Sequence, residues 1–149
     1  MPAPTNGLVL FYNMETLTGV QIKDLSSQTN HGTIIGAGDT SGKIARARSF
    51  DGTDDEIDVP DNTILDFGLT TDSYSVACWA SFTSHTADRY LIEKSSSPNT
   101  RQPLSIRSLG GASAKIRFDI YDGTNNPFVD STSGINDGTW HHIAVVRNV

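Results

Sequence analysis

The sequence predicts an all-β chain folded as an antiparallel two-sheet sandwich of jelly-roll type. Three observations predict it. Short β-type segments recur at roughly 10–15-residue spacing. Clusters of Gly, Asn, Asp and Ser stand between them as turn chemistry. No segment carries the 3.6-residue apolar period of an amphipathic helix.

Taken in order, Leu8 to Met14 is a first apolar run and reads as a strand. Gly32 to Ile35, Ala47 to Asp51 and Glu56 to Val59 are short β-type segments. Ser73 to Phe82 is the cleanest alternation: Tyr74, Val76, Cys78, Ala80 and Phe82 fall on one face, Ser75, Ala77, Trp79 and Ser81 on the other. Arg89 to Glu93 and Leu104 to Arg107 follow. Lys115 to Tyr121 then sets Ile116, Phe118 and Ile120 against Arg117, Asp119 and Tyr121. Asp122-Gly123-Thr124-Asn125-Asn126 is a turn leading into a strand from Pro127 to Ser131. Asn136-Asp137-Gly138 is another turn, before the apolar strand Trp140 to Arg147. Ala37 to Lys43 and Ser95 to Gln102, rich in Gly, Ser, Pro and Asn, read as surface loops.

The 149 residues are expected to form one domain over 1–149, long enough to bury a core. A net charge of −6 and scattered basic residues disfavour nucleic acid and anionic membranes as partners. No stretch reaches the ~18 apolar residues of a membrane helix, so no membrane insertion is expected. Cys78 is the single cysteine, so no intrachain disulfide forms, and its place in a strand makes it a small buried hydrophobe. The opening Met1-Pro2-Ala3-Pro4 lacks the basic and apolar runs of a secretory leader. A virion protein fits that feature, as does a secreted one whose leader has been removed.

Four segments together resemble the laminin-G-like family of concanavalin-A-like jelly rolls. They are Leu8 to Glu15 with Lys23-Asp24-Leu25-Ser26 and Asn30-His31-Gly32; Ala47 to Gly52 with Asp54-Asp55 and Ile57 to Pro60; Tyr74 to Trp79; and Gly138-Thr139-Trp140-His141-His142-Ile143-Ala144-Val145. The resemblance spans nearly the whole chain. In that family the Trp-His-His strand is followed by a hairpin and further strands. Here only Asn148 and Val149 follow Arg147. The expectation is a fragment, a shortened sandwich, or a sheet completed by a second copy or a partner chain.

The resemblance implies a structural Ca²⁺ held by Glu15, Asp24 and the backbone near Asn30, since calcium takes six to eight oxygen ligands. Glu56-Ile57-Asp58-Val59 resembles the start of the two-carboxylate motif of laminarinase-type glycoside hydrolases. The next acid, Asp61, falls on the opposite face by alternation, so no catalytic residue is expected and the chain reads as a non-enzyme. His141 and His142 are adjacent in a strand and point to opposite faces, so they do not share an ion. Trp79 and Trp140 read as packing residues. Tyr121, Asp122, Asn125 and Phe128, at the turn after the Lys115 strand, combine aromatic surface with polar groups suited to hydroxyl recognition. The leading expectation is a non-catalytic surface recognition or adhesion module for carbohydrate or protein, extracellular or on a virion. The alternative is a structural assembly or decoration subunit of a virion or surface filament.

Overall fold

In the computed structural model, residues 7–15, 17–67, 71–95, 102–112 and 114–149 are described below. The chain divides into two compact units, Met1–Asp66 and Phe67–Val149.

The first unit contains β1 (Leu17–Thr18), β2 (Gln21–Ile22), β3 (Gly32–Ile35), β4 (Gly38–Ser41), β5 (Arg46–Ser49) and β6 (Glu56–Asp58). Four of them form an antiparallel sheet in the order β1-β2-β3-β6, and β4 and β5 pair as a separate hairpin. Thr63–Leu65 is one turn of 3-10 helix, capped by the Asn62 side chain, which accepts from the Ile64 N–H. Ile22 is fully buried. Gly32 is required where β2, β3 and β6 converge. A Cβ there would lie 2.7 Å from Ile57 Cγ2 and 2.9 Å from the Tyr12 hydroxyl, closer than packing allows.

Two expectations are corrected in this unit. Leu8 to Met14 does not form a strand. The Phe11 N–H donates to Asp24 Oδ1 and the Phe11 carbonyl accepts from Leu25 N–H, so side chain and loop backbone replace the ladder an isolated apolar run cannot supply. Gly38 to Ser41, expected as loop, is strand β4, paired residue for residue with β5. Every residue of β4 is exposed, so it carries no apolar alternation. Its turn closes by Gly42 N–H to the Ala45 carbonyl, with Ala45 at φ 55°, and Arg46 and Arg48 both form ion pairs with Asp39.

The second unit contains β7 (Tyr74–Ala80), β8 (Arg89–Lys94), β9 (Gln102–Ser108), β10 (Lys115–Tyr121), β11 (Phe128–Gly134) and β12 (His141–Arg147). Four pair antiparallel in the order β11-β10-β9-β8, while β7 pairs with β12 from Tyr74↔Arg147 to Ala80↔His141. The expected alternation of β7 is realised: Tyr74, Val76, Cys78 and Ala80 turn inward and Ser75, Ala77 and Trp79 are exposed. Leu104, Ile106, Ile116, Phe118, Ile135 and Ile143 form the buried core, with Tyr74, Val76, Cys78, Ile120 and Val145 packed on it. The inner faces of the two sheets therefore meet, as an antiparallel sandwich requires. Tyr74 lies at its edge, its ring 4.6 Å from Phe67 and its hydroxyl donating to the Pro103 carbonyl at 2.5 Å. Burial pushes the Cys78 thiol pKa up, which keeps it protonated and apolar in character.

Truncating Phe118 to Ala is expected to cost about 3–5 kcal/mol in urea denaturation. Val146→Ala, on an exposed position, is expected to stay within about 0.5 kcal/mol. Equal costs at the two positions would contradict this placement of the core.

Candidate functional site

With Leu104, Ile106, Ile116 and Phe118 turned to the core, strand geometry turns their neighbours outward. The register then fixes who stands beside whom. Tyr90 lies opposite Arg107, Arg107 opposite Arg117, and Arg117 opposite Asp130. One row thus crosses all four strands. Beside it runs a second row: Glu93 opposite Ser105, Ser105 opposite Asp119, and Asp119 opposite Phe128. In the β10–β11 pairing both rows lie in one continuous register, and the shift falls beyond them, between Lys115 and Arg117. There the Ser131 hydroxyl accepts the Ile116 N–H at 3.0 Å and donates to the Ser133 carbonyl.

Two arginines organise the face. Arg117 donates to Asp130 through Nε (2.7 Å) and Nη2 (2.8 Å), a bidentate pair. Its guanidinium carbon also lies 3.9 Å from the Phe128 ring centre. The hydrogen bond from Arg117 holds the Asp130 carboxyl below the usual carboxylate pKa. Arg107 Nη2 lies 2.6 Å from Asp119 Oδ2, and Nε lies 3.3 Å from Asp88 Oδ2. Neither Arg107 Nε nor Asp119 Oδ2 has an aligned hydrogen bond, so these contacts are ionic rather than directional. Arg107 Nη1 also reaches the Tyr90 hydroxyl at 3.4 Å, with the guanidinium carbon 5.6 Å from the ring centre. Asp88 is tied in turn by the Gly110 N–H. Exposure rises from the middle strands to the edges. Ser105 and Asp119 are buried, whereas Tyr90 is 52% and Phe128 59% exposed. The result is a charged, mutually paired floor flanked by two aromatic side chains open to solvent.

Of the residues expected from the sequence, Phe128 belongs to this face. Tyr121 ends β10, half-buried, with the Asp122–Asn125 turn after it. Asp122 Oδ1 accepts from the Thr124 and Asn125 N–H groups at 2.8 and 2.6 Å, and Oδ2 from Asn125 Nδ2 at 3.2 Å, so this carboxylate shapes its own turn. Arg107, Arg117, Asp119 and Asp130 were not among the expected residues. The outward set Arg117, Asp119 and Tyr121 is visible in the sequence; its meeting with Arg107 and Asp130 depends on cross-strand register.

Asp24 and Asn30 also come together, in the first unit. Asp24 Oδ1 accepts from the Phe11 and Ser26 N–H groups, both at 2.9 Å. Oδ2 accepts from the Ser26 hydroxyl (2.6 Å) and the Asn30 N–H (2.9 Å). Asn30 donates through Nδ2 to the Val9 carbonyl and accepts through Oδ1 from Asn62. Its carbonyl takes the Tyr12 hydroxyl at 2.6 Å. Burial, with the Asp24 charge as a lesser cause, raises the Tyr12 pKa to about 12. Glu15 is exposed, its N–H donating to Asn13 Oδ1. The set does not fit calcium: the four lone-pair positions of Asp24 already hold four protein donors, and an ion would have to displace them.

Glu56 and Asp58 share the exposed side of β6, and Asp61 lies beyond the strand's end. Asp51, Asp54 and Asp55 bring carboxylate oxygens within 4.8 Å of one another among the described residues. Asp55 Oδ2 accepts the Asp51 N–H and Asp51 Oδ1 the Thr53 N–H, so two of the three fold their own loop. The histidines of β12 separate as expected. His141 Nε2 lies 2.9 Å from Asp137 Oδ1, and this contact with the Thr139 hydrogen bonds holds the Asp137 carboxyl far below its usual pKa. His142 is exposed, its ring centre 5.1 Å from that of Trp79. Trp79 is 43% exposed on the outward side of β7, which corrects its expected packing role.

The antiparallel all-β architecture is that of a jelly-roll sandwich. Residues 51–148 match the laminin G family described as the concanavalin A-like lectin/glucanases superfamily, and the chain belongs to it. The match includes β6 to β12; the resembling segments before residue 51 lie outside it. Comparison with curated proteins and with solved structures returns no match. Among the described residues, no helix is long and apolar enough to cross a membrane.

Burial alone would raise the Asp24 pKa, but hydrogen bonds from Ser26, Phe11 and Asn30 outweigh it and lower it. A depressed folded-state pKa contributes stability in full above the unfolded value of about 4, lost as pH falls through the folded value. Asp24→Asn is therefore expected to lower stability at pH 7 by about 1–3 kcal/mol and to weaken the acid dependence. An unchanged melting temperature at neutral pH would contradict the hub. Melting in EDTA and in added Ca²⁺ is expected to coincide; a rise with Ca²⁺ that Asp24→Asn abolishes would restore an ion to this loop.

Proposed function

We propose that this domain is a non-catalytic recognition module that binds carbohydrate on the outward face of β8–β11. The observation that carries this reading is the placement of exposed Tyr90 and Phe128 at the two edges of a floor of paired Arg and Asp side chains. Sugars present both apolar C–H faces and hydroxyls. Aromatic rings cover the first, and carboxylate and guanidinium groups bond the second. The turn at Asp122 and Asn125, with Tyr121 before it, closes one end of the same β10–β11 hairpin and extends the contact surface. Superfamily membership supports a lectin-like role without naming the ligand. An extracellular or virion-surface setting suits such a module.

A second reading is assembly, and one observation favours it. The outward side of the β7–β12 ribbon exposes Val146 at 71% and Trp79 at 43%, with Ala77 and Ala144 between them. Small alanines allow a flat partner to approach, and such a patch suits a neighbouring subunit.

The readings separate by experiment. Phe128→Ala and Tyr90→Ala are each expected to weaken binding on a glycan array by about tenfold, the loss of roughly 1–2 kcal/mol of ring contact. Melting temperature should stay unchanged, since both side chains are exposed. A parent chain that binds no glycan and sediments as a defined oligomer, dispersed by Val146→Glu, would replace recognition with assembly.

A further inference from the structure

We infer that this face selects neutral, hydroxyl-rich saccharides and excludes acidic ones; the inference rests on the carbohydrate reading above. Arginine grips a carboxylate or sulfate through its planar fork of donors. Here the Arg117 fork is hydrogen-bonded from within, and Arg107 is held by ion pairs. Arg117 spends Nε and Nη2 on the two oxygens of Asp130. Arg107 has Asp119 at one edge, Asp88 at another and the Tyr90 hydroxyl at Nη1. An anionic sugar would have to displace a carboxylate already tethered at ion-pair distance, and would leave that carboxylate uncompensated beside it.

The surrounding charge points the same way. In the ion-paired network three carboxylates, Asp88, Asp119 and Asp130, meet two guanidiniums, Arg107 and Arg117, and the whole chain carries −6. A uronate or sulfate therefore approaches against the field. A neutral diol meets no such barrier. An Asp130 oxygen that accepts one Arg117 donor keeps a further lone pair for a hydroxyl. Phe128, with Arg117 over its ring, retains enough exposure for the C–H face of a sugar ring.

The test uses the full chain against a panel of neutral oligosaccharides and their uronate and sulfated counterparts, read by calorimetric titration. Neutral members are expected to bind at least about tenfold tighter than their acidic counterparts. That binding should change by less than about twofold between roughly 50 and 500 mM NaCl, because no net charge is neutralised. Asp130→Asn, which frees the Arg117 fork, is expected to raise affinity for the acidic members, with circular dichroism checking that the sheet still forms. Tighter binding of acidic sugars by the parent chain would overturn this inference and leave the carbohydrate reading standing. Absence of binding to either class would overturn the carbohydrate reading itself, and this inference with it. A preference for neutral sugars that Asp130→Asn does not relax would overturn the assignment of the exclusion to the Arg117–Asp130 pair.

Discussion

The structure of the second unit depends on one constraint: successive residues of β9 and β10 must point to opposite faces of their sheet. Leu104, Ile106, Ile116 and Phe118 are drawn inward by the apolar surface they remove from water. Their inward placement leaves no freedom for Ser105, Arg107, Arg117 and Asp119. A slip of one residue in β9 would put Ser105 and Arg107 into the core and Leu104 and Ile106 into solvent; in β10 it would bury Arg117 and Asp119 and expose Ile116 and Phe118. The cost of that exchange pins the register, and the register is what sets Arg107 beside Asp119 and Arg117 beside Asp130. The chemistry of the outer face is thus a by-product of hydrophobic packing on the inner one.

Much of this was legible from residue order alone. The alternation through Tyr74 to Ala80 and through Lys115 to Tyr121 announces strands and sorts their faces, because the period of two is a local property. The separation of His141 from His142 follows from the same rule. What residue order could not show is the identity of cross-strand neighbours. Arg117 meets Asp130 across the β10–β11 hairpin, and Arg107 meets Tyr90 of β8 and Asp88 just before that strand. These are non-local facts of pairing. Phe128 was found because it adjoins a turn with recognisable chemistry.

The first unit was harder to read, for physical reasons. Leu8 to Met14 has the composition of a strand, yet its backbone bonds go to Asp24 and Leu25. Strand β4 has the composition of a loop, yet its backbone pairs fully with β5. In both places hydrogen-bond satisfaction, which side-chain pattern reports only indirectly, decided the outcome. Asp24 shows the same principle at a single residue. A carboxylate at that position suggests an ion, but four donors from Phe11, Ser26 and Asn30 already satisfy it. An acidic residue in a loop is a ligand only if its own chain leaves it lone pairs.

The central claim is that the ligand meets the outward face of β8–β11. Its most direct test is an amide chemical-shift titration of the isotope-labelled chain with a neutral oligosaccharide that binds. The account predicts saturating shifts at Tyr90, Arg107, Arg117, Phe128 and Asp130, with the β7–β12 ribbon around Trp79 and His142 unmoved. Shifts centred on Trp79 and His142, with the β8–β11 face silent, would contradict it.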